Sequence, residues 1–206
     1  MLERNLDIPH ELVLLTRHPV DVDPRIRVVK PPHPLPGAIR CRRRMWHFAA
    51  ERKHDLGERI LAIDLDVVIV DNITSLVDRR EPVVCWKVGY AGVYSGSFLL
   101  FDAGALDGAW QAYRDSPIGF PQSCGEVNAS DQAMLNRYLA GRNVAEWTER
   151  DGLRTWFGKG YEKLEHLGVG PNRTLLPHGT RVVVLGSKDK HVLDGATLPW
   201  IKEHWR

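Results

Sequence analysis

The sequence predicts an open α/β sheet, mostly parallel, flanked by helices. Three observations carry that reading. Short apolar runs recur at Glu11–Thr16, Ile26–Val29, Ile60–Ile63, Val67–Val70, Pro82–Trp86, Ser95–Phe101 and Arg181–Leu185, the length expected of buried strands. Segments with helical spacing fall between them, and strands alternating with helices favour parallel pairing with crossovers. The chain has 206 residues, 43% of them hydrophobic, enough for one domain to bury a sizeable core.

The elements follow in order. Met1–Leu6 reads as the end of a helix begun earlier, and Ile8-Pro9-His10 as a turn before the first strand. Arg17–Asp23 is polar loop. Pro31, Pro32, Pro34 and Pro36 make a stiff extended connector after Ile26–Val29, because each proline fixes its own φ and restrains the residue before it. Arg40–Arg52 sets Met45, Phe48 and Ala49 among arginines and reads as a helix. Ile73–Val77 suggests a short helix, Tyr90–Tyr94 a glycine-bearing loop, and Ala105–Arg114 a further helix. Pro117–Val127 reads as loop. Ser130 is a good N-cap, and Met134, Leu135, Tyr138 and Leu139 form the apolar face of the helix it opens. Trp147–Leu167 reads as irregular, Gly186–His191 as polar loop and Pro199–Arg206 as a short tail. No internal repeat or low-complexity linker is visible.

Charged residues make up 26% and the net charge is +2, which gives no case for nucleic-acid or membrane binding. Three cysteines, Cys41, Cys85 and Cys124, show no metal-type spacing, so a reducing, cytoplasmic location is expected. No stretch reaches the length of a transmembrane span, and the first residues do not read as a signal peptide. The sequons at Asn72, Asn128 and Asn172 read as chance matches. The seven tryptophans read mainly as core and rim packing.

The chemistry concentrates at Asp64-Leu65-Asp66. On an extended backbone, residues i and i+2 share one side, so both carboxylates are expected to face one cation, with Leu65 turned into the core. Ionised carboxylates among aliphatic residues are costly without compensation. A divalent metal carrying a nucleotide phosphate would supply it. The plainer alternative is a loop whose acids face water. Three other stretches stand out: Tyr94-Ser95-Gly96-Ser97 before an apolar strand, Ser130-Asp131-Gln132 at a helix start, and Val182–His191, a strand running into a basic loop.

In this order and with these gaps, the four stretches resemble the GT-A glycosyltransferases, whose fold is Rossmann-like. The chain is similar to a group of small bacterial and phage GT-A proteins, sharing an ending at Leu198-Pro199-Trp200-Ile201-Lys202-Glu203-His204-Trp205. The likeness spans nearly the whole chain. It implies one GT-A-like domain over residues 1–206 that moves a hexose-type sugar from a UDP- or GDP-sugar to an acceptor of unspecified class. The resemblance assigns Mn²⁺ or Mg²⁺ to Asp66 assisted by Asp64, and, for an enzyme that inverts the sugar's configuration, the role of general base to Asp131, supported by Gln132. Ser95 and Gly96 match the loop that lets backbone approach the donor sugar. Lys188 and Lys190 match the loop covering the diphosphate, and Arg44 a basic position that reaches phosphate.

The chain departs from that pattern twice. Leu185 stands where the family has a metal-binding histidine, so His191 or His178, or water, is expected to complete the shell. The chain also starts inside the helix that follows the family's first strand. The expectation is therefore a start internal to a longer product, or a degenerate relative. Two rival functions follow. One is a GT-A-like binding shell without catalysis. The other is a haloacid-dehalogenase-type phosphatase with Asp64 as nucleophile and Asp66 as general acid, although Val67-Val68 replaces the Gly-Thr such enzymes use.

Overall fold

The structure, a computed structural model, describes residues 1–32, 40–89, 92–123, 130–156, 169, 175–185 and 198–205. The elements run α1 (Leu2–Asn5), β1 (Leu12–Leu15), β2 (Ile26–Val29), a 3₁₀ stretch (Arg40–Phe48), a second (Ala50–Arg52), α2 (Lys53–Leu56), β3 (Arg59–Ile63) and β4 (Val67–Ile69). Then come α3 (Thr74–Val77), β5 (Val83–Val88), β6 (Val93–Asp102), α4 (Asp107–Asp115), α5 (Gly119–Ser123) and α6 (Asp131–Leu139). The last are β7 (Ala145–Trp147), a 3₁₀ turn (Glu149–Asp151), β8 (Leu153–Thr155), β9 (Val182–Val184) and α7 (Pro199–His204). The protein is mixed α/β. Among the described residues no helix is long and apolar enough to cross a membrane.

Two compact units divide the chain. The first comprises Met1–Ile8, Leu61–Leu99 and Ala145–Arg206. Its three-stranded sheet has the order β4-β9-β8, with Val67, Val68 and Ile69 antiparallel to Val184, Val183 and Val182, and Leu153–Thr155 parallel to Val182–Val184. Strands β4 and β9 are buried on both faces, which is why they read as unbroken aliphatic runs rather than alternating ones. Their cover includes Trp156, Trp200 and Ile201, with the two indoles tilted at 5.9 Å between centroids. The segment just after α1 is fastened by side chains: Asp7 Oδ2 accepts from Asn72 Nδ2 at 2.6 Å and from Thr74 Oγ1 at 3.2 Å.

A four-stranded sheet has the order β3-β6-β5-β7. Strands β5 and β7 are parallel and set Trp86 beside Trp147, which packs against Phe98. Asp64 N–H donates to Ser97 O and Ala103 N–H to Glu58 O. As the first strand advances its partner retreats, so β3 and β6 are antiparallel.

The second unit comprises Pro9–Ile60 and Leu100–Val144. Strands β1 and β2 form a parallel pair, Leu12 opposite Ile26 through Leu15 opposite Val29. The 3₁₀ stretch, α4 and α6 pack together around Met45, Phe48, Phe101, Leu106, Tyr113 and Met134. A Cβ on Gly108 of α4 would lie 2.5 Å from Tyr138 Oη, so a side chain there would have to displace that ring.

Several expectations change. Among the described residues the strands lie in three sheets with both pairing directions, not one mostly parallel sheet. Arg40–Arg52 is not one α-helix: Ala49 is extended (φ −60°, ψ 134°) and splits it. The Pro117–Val127 loop contains α5, the irregular Trp147–Leu167 stretch contains β8, and the tail is α7 with a proline in its first turn, where no N–H is needed. Pro34 and Pro36 lie outside the described residues.

Candidate functional site

Asp64-Leu65-Asp66 is not an extended strand but the turn between β3 and β4, closed by Val67 N–H donating to Asp64 O at 3.2 Å. The reason is that the two flanking runs belong to different sheets, so the chain must switch between them here. Leu65 does not enter the core as expected; it is 76% exposed. Asp66 is 7% exposed and Asp64 half-buried.

Two backbone bonds fix this turn from opposite sides. Asp64 N–H donates to Ser97 O at 3.0 Å, and Leu185 N–H donates to Asp66 O at 2.9 Å. Ser95, 4% exposed, accepts the Ser97 N–H on its Oγ at 3.1 Å, holding that end of β6. Gly96 is buried beside it. Three of the four stretches singled out by sequence thus meet at one turn.

The donor set offered by Asp64 and Asp66 is oxygen only, which suits Mg²⁺ or Mn²⁺ with waters filling the rest of the shell. Among the described residues no three His, Cys, Asp or Glu side chains are grouped to hold a metal ion. Leu185 brings no ligand: its side chain is 2% exposed and packs in the apolar cluster of Val68, Val183 and Trp200. His178 is exposed. His191, Lys188 and Lys190 lie outside the described residues.

The remaining candidates belong to the second unit. Ser130 caps α6 as expected, its side chain accepting from Ala133 N–H at 3.1 Å. Asp131, the first residue of that helix, is 8% exposed and paired with Arg44, whose Nε lies 3.0 Å from Oδ2. Gln132 is half-buried, and its carbonyl accepts from Asn136 Nδ2 at 2.8 Å. His47 stacks on Phe101 and meets Phe48 edge-on. Burial, reinforced by the Arg44 charge, pushes its imidazole down to about 3 from the ordinary 6.5.

Sequence reading misses one polar group in the first unit. Tyr94 Oη donates to Glu146 Oε1 at 2.8 Å, and Lys87 Nζ donates to the same oxygen at 3.0 Å. Burial, then the Glu146 carboxylate, raise the Tyr94 phenol to about 12. The three residues lie on different strands, and no local pattern announces them. Cys85 is the opposite case. Burial lifts its thiol to about 12, so it is no nucleophile.

Compared with known proteins, the chain matches no family model and no curated protein.

Proposed function

We propose that this chain is a metal-dependent glycosyltransferase of GT-A type, using a UDP- or GDP-sugar as donor. The observation that supports the reading is the convergence at the Asp64–Asp66 turn. Residues drawn from three separate parts of the sequence meet there through backbone hydrogen bonds. The position the resemblance reserves for a metal ligand, 185, is bonded directly to the backbone of Asp66.

In this reading Asp66 and Asp64 would hold Mn²⁺ or Mg²⁺, which would supply positive charge against the departing diphosphate. Asp66 is set by its backbone bond to β9, and Asp64 by its bond to Ser97. Gly96 lets the donor sugar approach the backbone of β6, and Ser95 braces that segment. For an inverting enzyme, the resemblance gives the acceptor's proton to Asp131, with Gln132 beside it in the first turn of α6.

A second reading is a GT-A-like shell that binds nucleotide without turnover. The apolar, buried Leu185 favours it, because the ligand count at Asp66 is thereby reduced.

Calorimetric titration of UDP and GDP, with and without Mn²⁺, tests the proposal. Binding is expected only with metal, and Asp66→Ala should weaken it by about tenfold or more, as removal of a charged metal ligand does. Metal-independent binding, or an Asp66→Ala variant that binds like the parent, would sink the transferase reading. Metal-dependent binding with no hydrolysis of any UDP- or GDP-hexose would select the shell.

A further inference from the structure

Strands β4 and β9 pair with Val67 opposite Val184, Val68 opposite Val183 and Ile69 opposite Val182. The pairing runs one step further at each end. Val70 N–H donates to Arg181 O at 2.8 Å, and Leu185 N–H donates to Asp66 O at 2.9 Å. Leu185 is therefore the residue directly across from Asp66. Residues directly opposite in an antiparallel pair put their side chains on one face, with Cβ atoms about 5 Å apart. Packing identifies that face. Val68, Val70, Val183 and Leu185 are alternate residues of the two strands, and they share one apolar cluster with Trp156, Trp200 and Ile201. Asp66, itself buried, continues the row of Val70 and Val68. All these residues belong to the first unit. The side chain set across from the Asp66 carboxylate is thus a buried leucine, which has no lone pair to offer a cation.

We propose that Leu185 sets the class of cation taken at the Asp64–Asp66 turn: hard ions such as Mg²⁺ and Mn²⁺ over borderline ions such as Co²⁺ and Zn²⁺. The inference rests on the metal-dependent reading above. Position 185 is where a donor atom would join the face that Asp66 occupies. A leucine there leaves carboxylate oxygen and water as the donors, which suit Mg²⁺ and Mn²⁺, whereas imidazole suits Zn²⁺ and its neighbours. The strength of Co²⁺ or Zn²⁺ relative to Mn²⁺ therefore reports which donors are present.

The test measures UDP and GDP affinity by calorimetry, with Mg²⁺, Mn²⁺, Co²⁺ and Zn²⁺ in turn, for the parent, Leu185→His and Leu185→Asn. Pulsed electron paramagnetic resonance of Mn²⁺ then reads whether nitrogen is bound to the ion. In the parent, Co²⁺ and Zn²⁺ are expected to support binding no tighter than Mn²⁺ does, and the Mn²⁺ signal should carry no protein nitrogen. Leu185→His should raise the affinity with Co²⁺ or Zn²⁺, relative to that with Mn²⁺, by about tenfold or more, and should bring nitrogen into the Mn²⁺ signal. Leu185→Asn adds only an oxygen donor, so affinity with Mg²⁺ and Mn²⁺ should rise about threefold or more without that shift in preference. Protein nitrogen on Mn²⁺ in the parent would overturn the proposal, because a histidine elsewhere would then set the preference. A folded Leu185→His with the parent's preference would also overturn it, since position 185 would not face the cation. If Leu185→His melts early, Leu185→Asn decides: tighter binding with Mn²⁺ supports the proposal and unchanged binding overturns it. A parent in which no cation supports nucleotide binding is a different failure, that of the metal-dependent reading itself.

Discussion

Gly152→Ala is expected to destabilise the protein by about 3 kcal/mol or more, by combining a backbone penalty with a clash against the main chain. Gly152 ends the 3₁₀ turn at Glu149–Asp151 with φ 90° and ψ 11°, a left-handed conformation that costs alanine roughly 1 kcal/mol. A Cβ there would also lie 2.4 Å from Gly179 O and 2.9 Å from Arg181 Cγ. Neither neighbour gives way without consequence, because the Gly152 carbonyl accepts from both Arg181 N–H at 2.9 Å and Val182 N–H at 3.2 Å. Those bonds set the register in which β9 enters its sheet. At the far end of β9, Leu185 N–H holds Asp66 O, so a shifted β9 should loosen the carboxylate turn as well. Gly141→Ala is the control. Its φ is 75° but nothing lies within 4 Å of the added methyl, so only the backbone penalty of about 1 kcal/mol applies. Urea unfolding of both variants measures the difference. Equal losses would show that the contact with Gly179 carries no energy.

The same region shows what a single sequence reveals and what it withholds. Strands β4 and β9 are legible because burial on both faces leaves unbroken valine and isoleucine. The Ser130 cap is legible because it is a local event, one side chain and an N–H three residues on. The Asp64–Asp66 turn is not legible in the same way. Ile60–Ile63 and Val67–Val70 read as strand runs joined through extended acids, and only the partners reveal that they belong to two different sheets. One half pairs with β6 and the other with β9, and the switch between sheets forces the turn that exposes Leu65 and buries Asp66. Strands β7 and β8 are three residues each and are defined by the neighbours they pair with, so periodicity has nothing to work on. Arg44 and Asp131 could each be chosen as chemically interesting, but their pairing depends on how the 3₁₀ stretch packs against α6. That packing is tertiary.

A second large effect is expected from acid. His47 is uncharged in the folded protein because its ring lies among Phe48, Phe101 and other buried side chains, with the Arg44 cation nearby. Asp131 pairs with that cation, its Oδ2 3.0 Å from Arg44 Nε. Folding lowers the His47 value from 6.5 to about 3. Between those two values the unfolded chain binds a proton that the folded chain does not, so stability rises with pH across the window and is lost as pH falls through it. For this one group the loss should reach about 3 kcal/mol between pH 7 and pH 4. Carboxylates protonate over part of the same range, so the measurement must isolate the imidazole. His47→Phe keeps an aromatic ring in the site and removes the titration. Urea unfolding free energies of parent and variant, taken at half-unit steps from pH 7 to pH 4, should diverge steadily, with the parent falling faster by about 3 kcal/mol at the acid end. Parallel curves would mean that the imidazole finds a proton-accepting partner in the folded state.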